Sequence, residues 1–445
     1  MSDVRSETEE NVGLLERLFK LKENNTDVKT EILAGFTTFM TMGYIIFVNP
    51  GILSDAGMPF NGVFIATIAG AILGTLSMAF ISNYPFALAS GMGLNAFFAY
   101  SIVMNMGVSW QVALGVIFLE GVIFMLLSVV KAREMIVNAI PMGLKTGISA
   151  GIGLFIAFIG LQNAEIVVNS DATLVEMGNL FSGPALVTMF GLAVIGILHS
   201  KGVKGALLWG IIASTIFGWV NGVTPPLEGI IAMPKFSDWS TVLFKLDIKA
   251  ALDASLVGVL LSFLFVDMFD TAGTLVGVSQ QAGYLDEDGN LPKANKALLS
   301  DAIGTTGGAL FGTTTVTTYV ESASGVAVGG RTGLTGVVVS ALFFLALFFK
   351  PLIGIVPGAA TAPALIAVGT MMMSNVTEID WDDYTEVLPA FMTMVAMPLT
   401  YSIANGIGLG FIFYPLVKLF TGKGRDVHWL IYLLGVLFVA KFIWL

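Results

Sequence analysis

The chain has 445 residues, 56% of them hydrophobic and 12% charged, with a formal net charge of −10 and no cysteine. A soluble domain averages about 25% charged residues, so this composition and a mean hydropathy of +0.86 exclude a soluble protein and define a polytopic membrane protein. Disulfides, thiolate metal sites and a cysteine nucleophile are excluded, His199 and His428 alone leave little for an imidazole metal site, and the absence of a basic cluster speaks against nucleic acid as a partner.

The first thirty residues are polar and charged, and no small-residue cleavage pattern follows the first apolar run, so no cleavable signal peptide is expected. Apolar runs of membrane-crossing character fall at 32–52, 62–82, 87–104, 110–130, 136–162, 183–199 and 204–221. A polar interval at 222–250 divides the chain, and runs resume at 251–279, 297–312, 317–330, 333–349, 354–373, 386–402 and 404–421. The stretch 388–420 exceeds the roughly 20 residues of one pass, and Asn405-Gly406 marks the expected break. The apolar tail from Trp429 to Leu445 reads either as a last span or as a helix on the surface.

Loop charges support this order. Arg5, Arg17, Lys20, Lys22, Lys29, Lys131, Arg133, Lys145, Lys201, Lys204, Lys293, Lys296, Arg331, Lys418, Lys423 and Arg425 all fall on the amino-terminal side if the passes alternate. The opposite side holds Lys235, Lys245, Lys249 and Lys350, so the positive-inside rule places the N-terminus in the cytoplasm. The acidic loop at 378–386 also lies inside, which the rule tolerates because acids weigh little in it.

Two halves with an odd number of spans each have opposite orientation, the logic of an inverted repeat. The third run of each half is interrupted and rich in small residues: Pro85-Phe-Ala-Leu-Ala-Ser-Gly-Met-Gly-Leu-Asn95 and Gly312-Thr-Thr-Thr-Val-Thr-Thr-Tyr-Val-Glu-Ser322. In each, a β-compatible piece leads into a helix start. Paired interruptions of this kind point to a binding site at the membrane midplane.

The acids of these segments carry the chemistry. An ionised carboxylate at the bilayer centre costs roughly 2.5–3.5 kcal/mol on insertion scales, so such residues face a cavity or the bundle interior. Glu321, flanked by Tyr319 and Ser322, is suited to accept N–H donors from a planar heterocycle and to carry a proton. Asp267 and Asp270 stand at i and i+3 on nearly one helix face, where mutual repulsion favours a proton on one of them. Asp267 reads as a site acid or a buried hydrogen-bond anchor, and both roles stand open for Asp270. Asn95 follows the Gly91-Met-Gly93 break, beside the same site. Glu120 braces its span or tunes coupling, and Asp301 and Arg331 read as caps or as a pair.

Three segments together, Gly91-Met-Gly-Leu-Asn-Ala-Phe-Phe-Ala-Tyr100, Phe265-Val-Asp-Met-Phe-Asp-Thr-Ala-Gly-Thr274, and Thr317-Thr-Tyr-Val-Glu-Ser322 with Gly329-Gly-Arg-Thr-Gly-Leu334, resemble the nucleobase–cation symporter-2 (nucleobase–ascorbate transporter) family, in its AzgA-like adenine/guanine/hypoxanthine permease branch. The resemblance runs from Leu15 to Gly422. It implies an all-α membrane fold of about fourteen spans in a seven-plus-seven inverted repeat, with short β-strands in spans 3 and 10. After a cytoplasmic segment 1–30, it divides the chain into a core domain (31–132 and 251–350) and a gate domain (133–222 and 351–445), with 223–250 as an extracytoplasmic loop. Substrate-binding roles are implied for Glu321, Asp267, Asn95, Gly93, Thr318, Tyr319, Ser322, Asp270 and Thr271, and proton-coupling roles for Asp267, Glu321, Asp270 and Glu120.

Related uracil permeases carry Glu where Asp267 stands and His where Thr271 stands, which favours a purine here. The expectation is therefore a proton-coupled purine importer of the bacterial inner membrane, homodimeric, with no resident cofactor or metal and no enzymatic activity. Competing readings are a sulfate- or bicarbonate-type anion carrier of the same fold, a uracil or xanthine permease, and a channel. An intramembrane aspartyl protease is disfavoured, since it needs a Gly-x-Gly-Asp motif that the chain lacks.

Overall fold

The structure is a computed structural model that describes residues 13–129, 140–227, 229–286 and 291–444. Nine helices among the described residues are long and apolar enough to cross a membrane. The expected end of the fourth run and start of the fifth, Lys131, Arg133 and the 132/133 boundary lie outside those residues, as do Arg5 and Leu445.

The first span starts earlier than the apolar pattern suggests, because the Asp27 side chain accepts from Thr30 N (2.9 Å) and caps the helix Val28–Met42. It breaks at Gly43-Tyr44 and resumes as Ile45–Asp55. The second span, Phe60–Ser77, ends in a π-helical turn at Met78–Ser82. The third opens with a strand, β1 (Leu88–Ser90), then the short helix Met92–Ala96 and the π-helical Phe97–Asn105. Trp110–Val129, Met142–Asn163, Gly183–Ser200 and Ala206–Val220 complete the first half. Between the fifth and sixth spans lies a hairpin of β2 (Val167–Ser170) and β3 (Leu174–Met177), which the hydropathy pattern did not announce because most of its residues are exposed.

The second half repeats this order. Its eighth span, Val257–Ala282, and ninth, Ala294–Phe311, precede β4 (Val316–Thr318) and the half-helix Ser322–Ala327, the counterpart of the third span. Gly333–Ala346, Gly358–Met372, Tyr384–Leu399 and Ile403–Phe420 follow. The last break lies at Thr400–Ser402 rather than at Asn405-Gly406. Tyr401 adopts φ +53, and the Ser402 hydroxyl accepts from Asn405 N (3.3 Å), which puts Asn405 inside the first turn of span 14.

The tail also finds its place. Helix Trp429–Trp444 lies antiparallel along span 14: Tyr432 approaches Gly424, Gly435 faces Phe411, and Phe438 and Phe442 close over Gly408. Phe411 and Phe438 stack at 5.9 Å, and the Lys441 stem crosses Gly258 of span 8. The tail therefore packs one face on span 14, through Ile431, Leu434 and Phe438, and leaves the opposite apolar face, with Val436 and Ile443, exposed.

Close packing of small residues holds the halves together, as expected where lipid supplies no hydrophobic drive between helices. A Cβ on Gly333, at the start of span 11, would stand 2.2 Å from the Ala79 carbonyl oxygen. Polar bonds add to this. Asn49 donates to Thr67 Oγ1 (2.7 Å) and Thr313 Oγ1 (2.9 Å), and the fully buried Glu31 carboxylate accepts from Arg331 N (2.8 Å), Thr335 N (3.1 Å) and Thr335 Oγ1 (2.6 Å). Gly333→Ala should lower the thermal unfolding midpoint of the detergent-solubilised protein, since overpacking typically costs about 1–3 kcal/mol. Gly277→Ala, where a Cβ meets nothing within 4 Å, should leave it unchanged or raise it; equal midpoints for the two would contradict the packing described.

Candidate functional site

The two broken spans meet through their strands. β1 pairs antiparallel with β4 in the register Leu88↔Thr318, Ala89↔Thr317 and Ser90↔Val316. Gly91 N donates to Thr315 O (3.0 Å) and Tyr319 N to Ala87 O (2.9 Å), extending the ladder at both ends. Backbone inside a membrane protein is tolerated in non-helical form only when its polar groups are satisfied within the protein, and here each strand satisfies the other.

Glu321 follows β4 and is partly exposed. Its Oε1 accepts from Tyr44 Oη at 2.6 Å, and its carbonyl from Thr41 Oγ1 at 3.4 Å. Tyr44 sits at the joint of the broken first span and is 1% exposed. Tyr319 lies beside it, ring centroids 6.5 Å apart, with its hydroxyl on Ser90 O at 2.5 Å. Asp270 of span 8 is also partly exposed. Thr317 Oγ1 lies 3.5 Å from Asp270 Oδ2, at the limit of a hydrogen bond.

The remaining sequence-derived residues stand behind this surface. Asp267 and Thr271 are fully buried, and Thr271 Oγ1 lies 3.3 Å from Asp267 Oδ1 and 3.1 Å from Asp301 Oδ2. Asp301 is interior to the ninth span; its Oδ1 accepts from Thr318 N (2.9 Å) and Thr318 Oγ1 (3.1 Å). Asn95 accepts from Thr314 Oγ1, and its amide lies 3.5 Å from Ser90 O. Ser322 Oγ accepts from Ala87 N (3.0 Å). Gly93 packs against span 5, where a Cβ would stand 2.5 Å from Ile152 Cγ2. Glu120 is buried on span 4.

Glu321 and Asp270 are thus both partly exposed beside the β4 segment, with Tyr319 buried next to Tyr44, while Asn95, Thr318, Ser322 and Thr271 brace the strands and helices around them. Arg331 does not pair with Asp301. Its guanidinium caps the half-helix on Val326 O and Gly330 O, both at 2.7 Å, because the carbonyls at that end lack helical partners. Sequence reasoning missed Tyr44 and underweighted Asp301. Gly43-Tyr44 inside an apolar run was the available signal for the first, and an acid within the ninth apolar run for the second.

This arrangement, two broken spans crossing through paired strands with acids on the flanking helices, defines a secondary-transporter fold. The chain matches the family model Xan_ur_permease, described as "Permease family", over residues 29–409, and it belongs to that family. It is 45% identical to the adenine permease AdeP of Escherichia coli (strain K12), over 97% of this chain and 97% of that one. It is 44% identical to the guanine/hypoxanthine permease PbuO of Bacillus subtilis (strain 168), over 95% of this chain and 99% of that one. Among solved structures, the transmembrane domain of the cyanobacterial bicarbonate transporter BicA superposes with a TM-score of 0.63 at 16% identity, covering 85% of this chain and 97% of its own. The fold is the seven-plus-seven inverted repeat of that structural group, in a multi-pass membrane protein.

Removing the acceptor for Thr318 N leaves a buried donor unpaired at roughly 1–3 kcal/mol. Asp301→Ala should therefore unfold at a clearly lower temperature in detergent than Asp301→Asn, which keeps one acceptor oxygen. Equal midpoints for the two would remove Asp301 from its role in holding β4.

Proposed function

We propose that the chain imports purine nucleobases (hypoxanthine, guanine or adenine) by proton symport with alternating access. The observation that carries this is Glu321, a partly exposed acceptor that follows the strand pair and is held by Tyr44 at the joint of the first span. A carboxylate accepts the N–H groups of a planar heterocycle, and Asp270, also partly exposed and linked to β4 through Thr317, is a second acceptor. The adenine and guanine/hypoxanthine permeases among the relatives support the purine reading. Asp267, fully buried on the same helix as Asp270, is the acid assigned to change protonation through the cycle, and a coupling role is assigned as well to Glu120, buried on span 4.

The core (31–132 and 251–350) moves against the gate (133–222 and 351–445) in this reading, and the present state supports a closed seam on one face. Across that seam Ser101 Oγ donates to Tyr401 O (2.9 Å) and the Tyr100 and Tyr401 rings meet edge-on at 6.0 Å, while Tyr100 Oη is held within the core by Asp55 Oδ2 (2.6 Å) and Tyr401 Oη within the gate by Gln162 Oε1 (2.8 Å). Loop charge assigns that face to the outside and the N-terminus to the cytoplasm; the family resemblance suggests a homodimer in an inner membrane. An anion carrier, the activity named for the bicarbonate transporter, fits poorly with two acids at the site.

Glu321→Gln should reduce purine uptake into proteoliposomes by at least about tenfold, since it exchanges one acceptor oxygen for a donor where a substrate N–H would bind. Retained uptake would remove Glu321 from the site. Asp267→Asn should lose accumulation driven by an inward pH gradient, and normal gradient-driven accumulation in that variant would end its proton role.

A further inference from the structure

We infer that Tyr44 is a specificity-determining residue of the site: its hydroxyl fixes the plane of the Glu321 carboxylate, which then meets two adjacent N–H groups of a 2-amino-6-oxopurine edge. The inference rests on the proposed role of Glu321 as acceptor of purine N–H groups. The terminal torsion of a glutamate is broad and two-fold, so an isolated carboxylate has no preferred plane. Here one oxygen is held by a phenol at 2.6 Å, a charge-assisted bond. The phenol itself has little freedom. Tyr44 is 1% exposed and lies where helix Val28–Met42 gives way to Ile45–Asp55. Its ring lies against Tyr319, which is anchored on Ser90 O. One turn earlier Thr41 reaches the Glu321 carbonyl, so the same broken span grips both the backbone and the side chain of Glu321.

A hydroxyl has one proton to give, and a carboxylate has about four acceptor positions. A carboxylate that takes one phenol on Oε1 keeps acceptor capacity for two further donors in the plane that bond selects. Guanine presents N1–H and its 2-amino group side by side, a two-point match to that plane. Hypoxanthine is the same molecule without the 2-amino group, and its single N1–H is met by a carboxylate in any rotation. Loss of the Tyr44 hydroxyl therefore penalises guanine more than hypoxanthine, a discrimination that a simple structural brace does not produce.

The test is equilibrium binding of guanine and of hypoxanthine to purified wild-type protein, Tyr44→Phe and Tyr44→Met. Expected is a rise of about tenfold in the guanine Kd, the scale of one hydrogen bond to a charged group, with a much smaller change for hypoxanthine. An equal loss for both bases, or a gain for guanine over hypoxanthine, overturns the inference; the second result would mean that the hydroxyl competes with substrate. If neither variant folds, as judged by monodispersity and thermal unfolding, Tyr44 is a structural brace and the inference is wrong. Wild-type protein that binds neither base overturns the purine reading itself, and the wild-type arm alone tells that failure from the others.

Discussion

Everything at the centre of this protein depends on the pairing of two three-residue strands, one from each half. Extended backbone in the middle of a bilayer is intolerable unless its N–H and C=O groups find partners. Leu88–Ser90 and Val316–Thr318 solve this for each other, and Gly91, Thr315, Ala87 and Tyr319 continue the ladder beyond them. The pairing has a register, and a register places particular side chains. Thr318 faces Asp301, Tyr319 reaches back to Ser90, and Glu321 comes level with the joint in the first span. A slip of one residue would turn Thr318 and Tyr319 to opposite faces and undo all three.

The neighbouring helices are shaped to this pair. Glycines let span 2 approach the strands: a Cβ at Gly74 would stand 2.9 Å from Val316 and 3.1 Å from Leu88. Buried hydroxyls and one amide, among them Asn49, Ser90 and Thr313, link span 1 to both strand segments. Arg331 and the Glu31 carboxylate hold the far end of the tenth span against the first and the eleventh. The first span therefore touches the second broken segment at both ends, through Glu31 and through Tyr44. In the proposed cycle that makes it part of the site rather than a lipid-facing wrapper.

Much of this was legible in the sequence. The order of spans, the midpoint division and the two interrupted segments followed from hydropathy and from the small-residue runs before Asn95 and Glu321. What was not legible has a physical cause in each case. The 400–402 break is set by a cap and one left-handed residue, which hydropathy does not register. The β2–β3 hairpin is exposed and polar enough to read as loop. Tyr44 pairs with a residue 277 positions away, so no local pattern announces it. The ranking of the two span-8 acids also shifted in meaning. Spacing put Asp267 and Asp270 on one face, but only the packing distinguishes the sealed Asp267 from the accessible Asp270.

The central claim is that a site built from carboxylates recognises a neutral N–H donor rather than an anion. Its most direct test is competition binding with labelled hypoxanthine on the purified wild-type protein, against unlabelled purines, sulfate and bicarbonate in parallel. The account predicts displacement by purine bases at low concentration and none by either anion. Displacement by sulfate or bicarbonate, with the purines inert, would contradict it.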